Sequence, residues 1–361
     1  MKIKLNEMSK EEKIGQMIMV GMDTNYITDR IKTLIQKYKI GGIILYRKNF
    51  GTYEDLIKLV NELKELNKNN KIPLLIAVDQ EGGRVNRMPS EFHNLPSVNL
   101  IAKQKDEALI KESAEIIAQI LNSSGFNLNF APVLDLKNSK DNSAIGDRAF
   151  SENIEEVYKY GKIFMEELQK RNVIPVIKHF PGHGATKQDS HFILPIIKES
   201  YNELEQKDII PFKVLIKEGA DAMLVGHLVI PEITKLYPAS LSKELIGNYI
   251  RKRYKYNKLL ITDDLKMRAI KMFYGENKAV EKAFLAGNDI IVFRYNRSKE
   301  EKAIKNLLYM YNKNKGRVNR SVLRILKQKE KYNINDNKIE KTINIEEINN
   351  RIDAIRKRCG L

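Results

Sequence analysis

One cysteine in 361 residues, Cys359, leaves no partner for an internal disulfide and fits a reducing compartment. Long apolar runs are also missing. Met17 to Val20 is far too short for a signal core or a membrane span, so the chain reads as soluble and cytoplasmic with no membrane partner. No Gly-Lys-Ser/Thr ending follows any glycine-rich turn, which excludes a phosphate-binding loop. No internal repeat is visible. The formal charge of +17 comes with no basic stripe carrying an aromatic or helical reading element. Residues 313–361 hold 14 Lys/Arg against 6 Asp/Glu, and the remaining excess is dispersed. This reads as a basic solvated surface and not a nucleic-acid site, while attraction for anionic cell-wall fragments stays open.

What is present is a hydrophobic content of 42%, enough for a sizeable core. Eight short apolar runs rich in β-formers recur: residues 16–21, 41–46, 73–79, 126–135, 173–179, 220–227, 258–263 and 289–293. Polar segments with apolar residues at spacings of three and four separate them: 53–67, 105–123, 152–171, 202–218, 243–254 and 277–286. Near-continuous apolar strands alternating with one-faced helices predict a parallel sheet covered by helices. Eight such units in about 300 residues predict an α/β fold of the (β/α)8 TIM-barrel type. An open doubly wound sheet is the alternative, but its glycine-rich first turn is missing. The expected organisation is one catalytic domain over residues 1–331. A basic tail over 332–361 follows it as a C-terminal helix or a loose segment.

In such a barrel, functional groups sit where the strands finish. Here the strands finish in Asp79, Asp135, Lys178-His179, His227 and Asp263, which predicts a shared pocket. The densest stretch runs from Lys178 to His191. It holds three of the five histidines, with Pro181, Gly182 and Gly184 shaping the loop. Within it, Asp189-Ser190-His191 places a carboxylate where it can turn to an imidazole. The aspartate would fix the tautomer and leave the other ring nitrogen to give or take a proton. Asp263 suits a nucleophile attacking a sugar C1, or an electrostatic stabiliser of a cationic transition state; Asp264 suits a cap of the next helix. In Asp79-Gln80-Glu81-Gly82-Gly83-Arg84-Val85-Asn86-Arg87, Asp79 and Arg87 could reach a ligand from one rim. A structural Gly-Gly turn with a salt bridge explains the segment equally well. His179, His183, His191 and Asp189 are close in sequence, but the intervening proline and glycines argue against a helical metal site. No metal and no cofactor are expected.

With these motifs assembled, the chain resembles glycoside hydrolase family 3, and within it the NagZ-type β-N-acetylglucosaminidases. The resemblance runs from about Glu11 to Lys327. It includes Asp79 to Val85, Asn129 to Asp135, Ile145 to Phe150, Lys178 to His191, Pro238 to Ser242 and Thr262 to Leu265. It implies a (β/α)8 barrel and a retaining double displacement. Asp263 matches the family's nucleophile, and His191 paired with Asp189 its general acid/base. Asp79, Arg87, Arg148, Lys178 and His179 match positions that bind the N-acetylglucosamine ring. The implied substrate is a muropeptide or disaccharide ending in N-acetylglucosamine, cleaved by a monomer. Other readings keep the fold: a phosphorylase, a β-glucosidase or a non-catalytic sugar-binding barrel.

Overall fold

The computed structural model describes residues 5–137, 144–184, 194–265, 268–293, 299–340 and 343–361. Eight parallel strands form the centre: β1 (Ile18–Gly21), β2 (Gly42–Ile44), β3 (Leu75–Val78), β4 (Leu128–Asn129), β5 (Ile174–Phe180), β6 (Ala222–Val225), β7 (Leu259–Thr262) and β8 (Ile291–Phe293). Their order is β7-β6-β5-β4-β3-β2-β1-β8. A parallel bridge from Ile261 to Ile290 joins the two ends. The Thr262 amide donates to the Ile290 carbonyl at 3.1 Å and the Val292 amide to Thr262 Oγ1 at 3.0 Å. The sheet is therefore a closed barrel, with no edge left to cover.

Seven of the eight apolar runs contain their strand, trimmed to the part that pairs, and β5 runs one residue past its run, to Phe180. The largest trimming falls on 126–135, where only Leu128 and Asn129 are extended in the ladder. Pro132 has no amide to donate there, although Leu134 still donates to the Lys178 carbonyl at 2.7 Å. The helix Tyr53–Asn67 has the predicted bounds. Thr52 accepts from the Asp55 amide, Asp55 returns the bond to Thr52, and the helix buries Leu56, Val60 and Leu63. The predicted helix over 202–218 is instead two, Tyr201–Gln206 and Ile210–Lys217. Pro211 explains the break, because its ring is tolerated in the first turn of a helix and not in its interior. Residues 245–253 are helical, but wound as a π-helix.

Residues 299–331 are helical with a non-helical Asn314, and this stretch crosses the start of the barrel. From it Lys329 reaches the buried floor, donating to Gln16 Oε1 at 2.7 Å, the Gly41 carbonyl at 3.0 Å and the Pro73 carbonyl at 2.6 Å. One ammonium group thus gathers the entries to β1, β2 and β3. Beyond it, Asp336 accepts from Asn67 Nδ2 at 2.6 Å and from the Leu74 amide at 3.2 Å. The helix Ile345–Arg358 then buries Ile348, Ile352 and Ile355. Its Arg351 donates to Glu112 at 2.6 Å and to Gln119 at 2.9 Å on the helix Glu107–Ser123. Among the described residues no helix is long and apolar enough to cross a membrane.

The last helix covers apolar surface. Its three buried isoleucines contribute about 1.5–3 kcal/mol each, and Arg351 adds two directed bonds to the helix Glu107–Ser123. Deleting residues 341–361 should lower the melting temperature by about 5 °C or more. A truncated chain that melts with the full-length protein would show that this packing contributes nothing.

Candidate functional site

At the C-terminal ends of the strands lies a cavity of about 330 Å³. Its walls include Ile44, Phe130, Leu224 and Val292, all apolar and drawn from different strand ends. Above them stand the ionisable groups Asp79, Glu81, Arg84, Arg87, Arg148, Lys178, His179, His183, Asp263 and Asp264. The polar layer is held by bonds between strands. Asn129 of β4 accepts from the Gln80 amide and donates to the Gln80 carbonyl, both at 2.9 Å, anchoring the turn after β3. Gln80 Oε1 in turn accepts from the Arg87 amide at 2.7 Å. Gly82 and Gly83 both have positive φ, and a β-carbon on Gly83 would come within 2.8 Å of Ser97. The turn needs its glycines, and it also brings Asp79, Glu81 and Arg87 to the cavity wall.

Glu81 is almost fully buried and grips two cations. Arg148 forks onto it, Nη2 to Oε1 at 2.7 Å and Nε to Oε2 at 2.8 Å. Lys178 Nζ lies 2.6 Å from the same Oε1 and 2.9 Å from Asp79 Oδ1. Burial opposes ionisation of Glu81, but the charges of Arg148 and Lys178 outweigh it and hold the carboxyl well below its ordinary value. Arg148 comes from the turn Gly146–Arg148. Arg84 braces that turn from the other side, pairing with Asp147 at 2.8 Å and donating to the Ala144 and Ile145 carbonyls. The Arg87 guanidinium, by contrast, has only the Asn86 carbonyl at 3.3 Å among the described contacts.

Lys178 and His179 both line the cavity, although consecutive strand residues ordinarily face opposite ways. The β5–β6 register shifts between Ile177 and Phe180, a bulge that brings both inward. Behind His179 sits Asp135, fully buried, with Oδ2 at 2.6 Å from His179 Nδ1 and Oδ1 accepting from the His183 amide at 2.6 Å. Burial would raise the Asp135 carboxyl, but His179 and His183 lower it on balance. An ionised Asp135 makes Nδ1 the protonated nitrogen of His179. Burial lowers His183, with Asp135 offsetting part of the effect, so its imidazole favours the neutral form. Asp263 ends β7. Its amide donates to the Val225 carbonyl at 3.1 Å, and its Oδ1 accepts from the Asp264 amide at 2.8 Å.

The structure thus gathers Asp79, Arg87, Arg148, Lys178, His179 and Asp263 around one cavity. Asp189 and His191 lie outside the described residues. One expectation needs correction: His227 lies two residues past the end of β6 and does not line the cavity. It is buried, with Nδ1 at 2.7 Å from Ser240 Oγ and Nε2 at 3.0 Å from the Asp264 carbonyl, which ties the β6 and β7 loops together. Asp135 likewise supports the wall from behind. Sequence reasoning gave no role to Glu81; it expected Asp135 in the shared pocket and weighed His183 only as a metal ligand, and missed the bond between them. The signal available for Glu81 was an acid beside a glycine pair, two residues past a strand end. Among the described residues no three His, Cys, Asp or Glu side chains are arranged to hold a metal ion.

A parallel eight-stranded barrel with an ionisable pocket at its strand ends has the architecture of a TIM-barrel enzyme. The pattern described as the glycosyl hydrolase family 3 N terminal domain matches residues 9–328. The chain belongs to this family, and with it to the hydrolases of O-glycosyl bonds. It is similar to the beta-hexosaminidase of Neisseria gonorrhoeae, 35% identical over 283 residues, 76% of this chain and 77% of that protein. It is also similar to the beta-hexosaminidase of Tolumonas auensis, 33% identical over 270 residues, 74% of this chain and 79% of that protein. The structure of a glycoside hydrolase family 3 beta-N-acetylglucosaminidase from Paenibacillus sp. superposes with a TM-score of 0.92 at 31% identity. That match covers 98% of this chain and 69% of the other.

The buried carboxylates fix how stability depends on pH. Glu81 and Asp135 both titrate lower in the folded chain than in the unfolded one. Their stabilisation is complete above the unfolded value of about 4.5 or below and is lost as pH falls through the folded values. Glu81→Gln should cost about 3 kcal/mol at pH 7, because it strands buried cations. Denaturant titrations at pH 7 and pH 3.5 should show the gap between wild type and variant narrowing at the lower pH. A gap that stays constant would mean that Glu81 is not held ionised by its partners.

Proposed function

We propose that this chain is a retaining exo-β-N-acetylglucosaminidase that removes terminal N-acetylglucosamine from peptidoglycan-derived fragments, in the cytoplasm and as a monomer. The observation that carries the reading is the cavity itself. It has room for about one sugar ring, an apolar floor that stops a longer chain from threading through, and Asp263 at its wall. The similarity to beta-hexosaminidases and to a beta-N-acetylglucosaminidase supports the choice of sugar.

In this reading Asp263 attacks C1 of the bound sugar and forms a covalent glycosyl-enzyme. His191, oriented by Asp189, gives a proton to the departing oxygen. It then takes one from the water that attacks C1, which releases the sugar with its configuration retained. The roles of His191 and Asp189 rest on the family resemblance. Asp79 accepts from sugar hydroxyls with its outward oxygen. Lys178, Arg148, His179 and Arg87 supply the donors, and Arg87 is the cation most open to the ligand. Most glycosidases use a second carboxylate as acid/base. An imidazole in its place avoids repulsion against an anionic muramic-acid leaving group.

The first test compares nitrophenol release from the aryl β-N-acetylglucosaminide and the aryl β-glucoside. Wild type should prefer the acetamido sugar, and Asp263→Ala should lose about 10⁴-fold or more. Preference for the glucoside would make the protein a β-glucosidase, and turnover that needs phosphate would make it a phosphorylase. A second variant tests the imidazole. His191→Glu should lose more rate on an anionic muropeptide than on the uncharged aryl glycoside; equal losses would remove the charge argument.

A further inference from the structure

We infer that Glu81 is a positioning residue for the glycosidase reaction: its buried carboxylate balances Lys178 and Arg148, so that the pocket does not oppose a cationic transition state. The inference rests on the function proposed above. It goes further by assigning a task to a residue that need not touch the sugar.

The count of charges carries it. Among the described residues the cavity is lined by four carboxylates (Asp79, Glu81, Asp263, Asp264) and four permanent cations (Arg84, Arg87, Arg148, Lys178). The lining is therefore neutral as a set. Glycosidic cleavage passes through an oxocarbenium-like state, so positive charge develops in the substrate ring. Lys178 is buried and Arg148 largely so, and both engage the one carboxylate of Glu81. Both oxygens of Glu81 are engaged by them, which leaves Glu81 poorly placed to act as nucleophile or proton carrier. Its influence must then run through its partners and through its field.

Two effects follow from its loss. Without Glu81 the Lys178 ammonium would lean wholly on Asp79, whose carboxylate would be a weaker acceptor for sugar hydroxyls. The pocket would also gain one net positive charge. A unit charge about 8 Å from the reacting carbon, at an effective dielectric of about 20, alters the stability of a developing cation by roughly 10- to 50-fold. The first effect weakens any sugar ligand. The second weakens only a cationic one.

Calorimetry can separate the two effects. The probes are neutral N-acetylglucosamine and a 2-acetamido iminosugar of the same configuration, protonated at its ring nitrogen. Glu81→Gln should lower the ratio of cationic to neutral affinity about 10-fold or more, whatever happens to both affinities together. Glu81→Asp keeps the charge and should keep the ratio while raising KM for the aryl glycoside. If Glu81→Gln does not fold, the same step is taken in a Lys178→Met background. There the ratio should start above wild type and fall about 10-fold when Glu81→Gln is added. An unchanged ratio in either background overturns the inference, because a merely structural carboxylate would weaken both probes alike. Failure of the wild type to bind N-acetylglucosamine or to cleave its aryl glycoside would instead refute the function on which the inference rests.

Discussion

The buried ion-pair cluster of Asp79, Glu81, Lys178 and Arg148 is the contact on which the candidate site depends. It joins three segments far apart in sequence: the turn after β3, the inward bulge of β5 and the turn Gly146–Arg148. An isolated carboxylate at that depth would be expelled or protonated. It persists because two cations meet it with short, directed bonds. Asp135, His179 and His183 form a second network on the same principle, one step around the barrel.

These networks depend on the barrel, and the barrel on its apolar strands. Parallel strands covered by helices are buried on both faces, so polar side chains can stand only where the strands stop. The apolar layer of Ile44, Phe130, Leu224 and Val292 closes the cavity from below. It also lowers the local dielectric, so the charges above it act on one another and on a ligand more strongly than they would in water. At the opposite end, Lys329 and Asp336 tie the strand entries to the C-terminal segment. Chemistry and anchorage thus occupy opposite ends of one barrel, which lets the loops at the pocket vary without loosening the fold.

The linear order of residues determined the eight strands, the helix Tyr53–Asn67 and the positions at which ionisable groups leave the sheet. These follow from local properties: apolar runs of strand length, three-and-four spacing and capping by Thr52. The family likeness was also legible there, since it resides in contiguous strings such as Lys178 to His191. Tertiary structure alone decided which strand-end groups share a cavity. His227 and Asp263 look equivalent in sequence, yet one bonds Ser240 and the Asp264 carbonyl while the other faces the pocket. Glu81 was silent in the sequence for the same reason, and so was the pairing of Asp135 with His179 and His183. A carboxylate becomes a buried counter-charge only when cations from distant segments are folded against it, and no local pattern encodes that meeting.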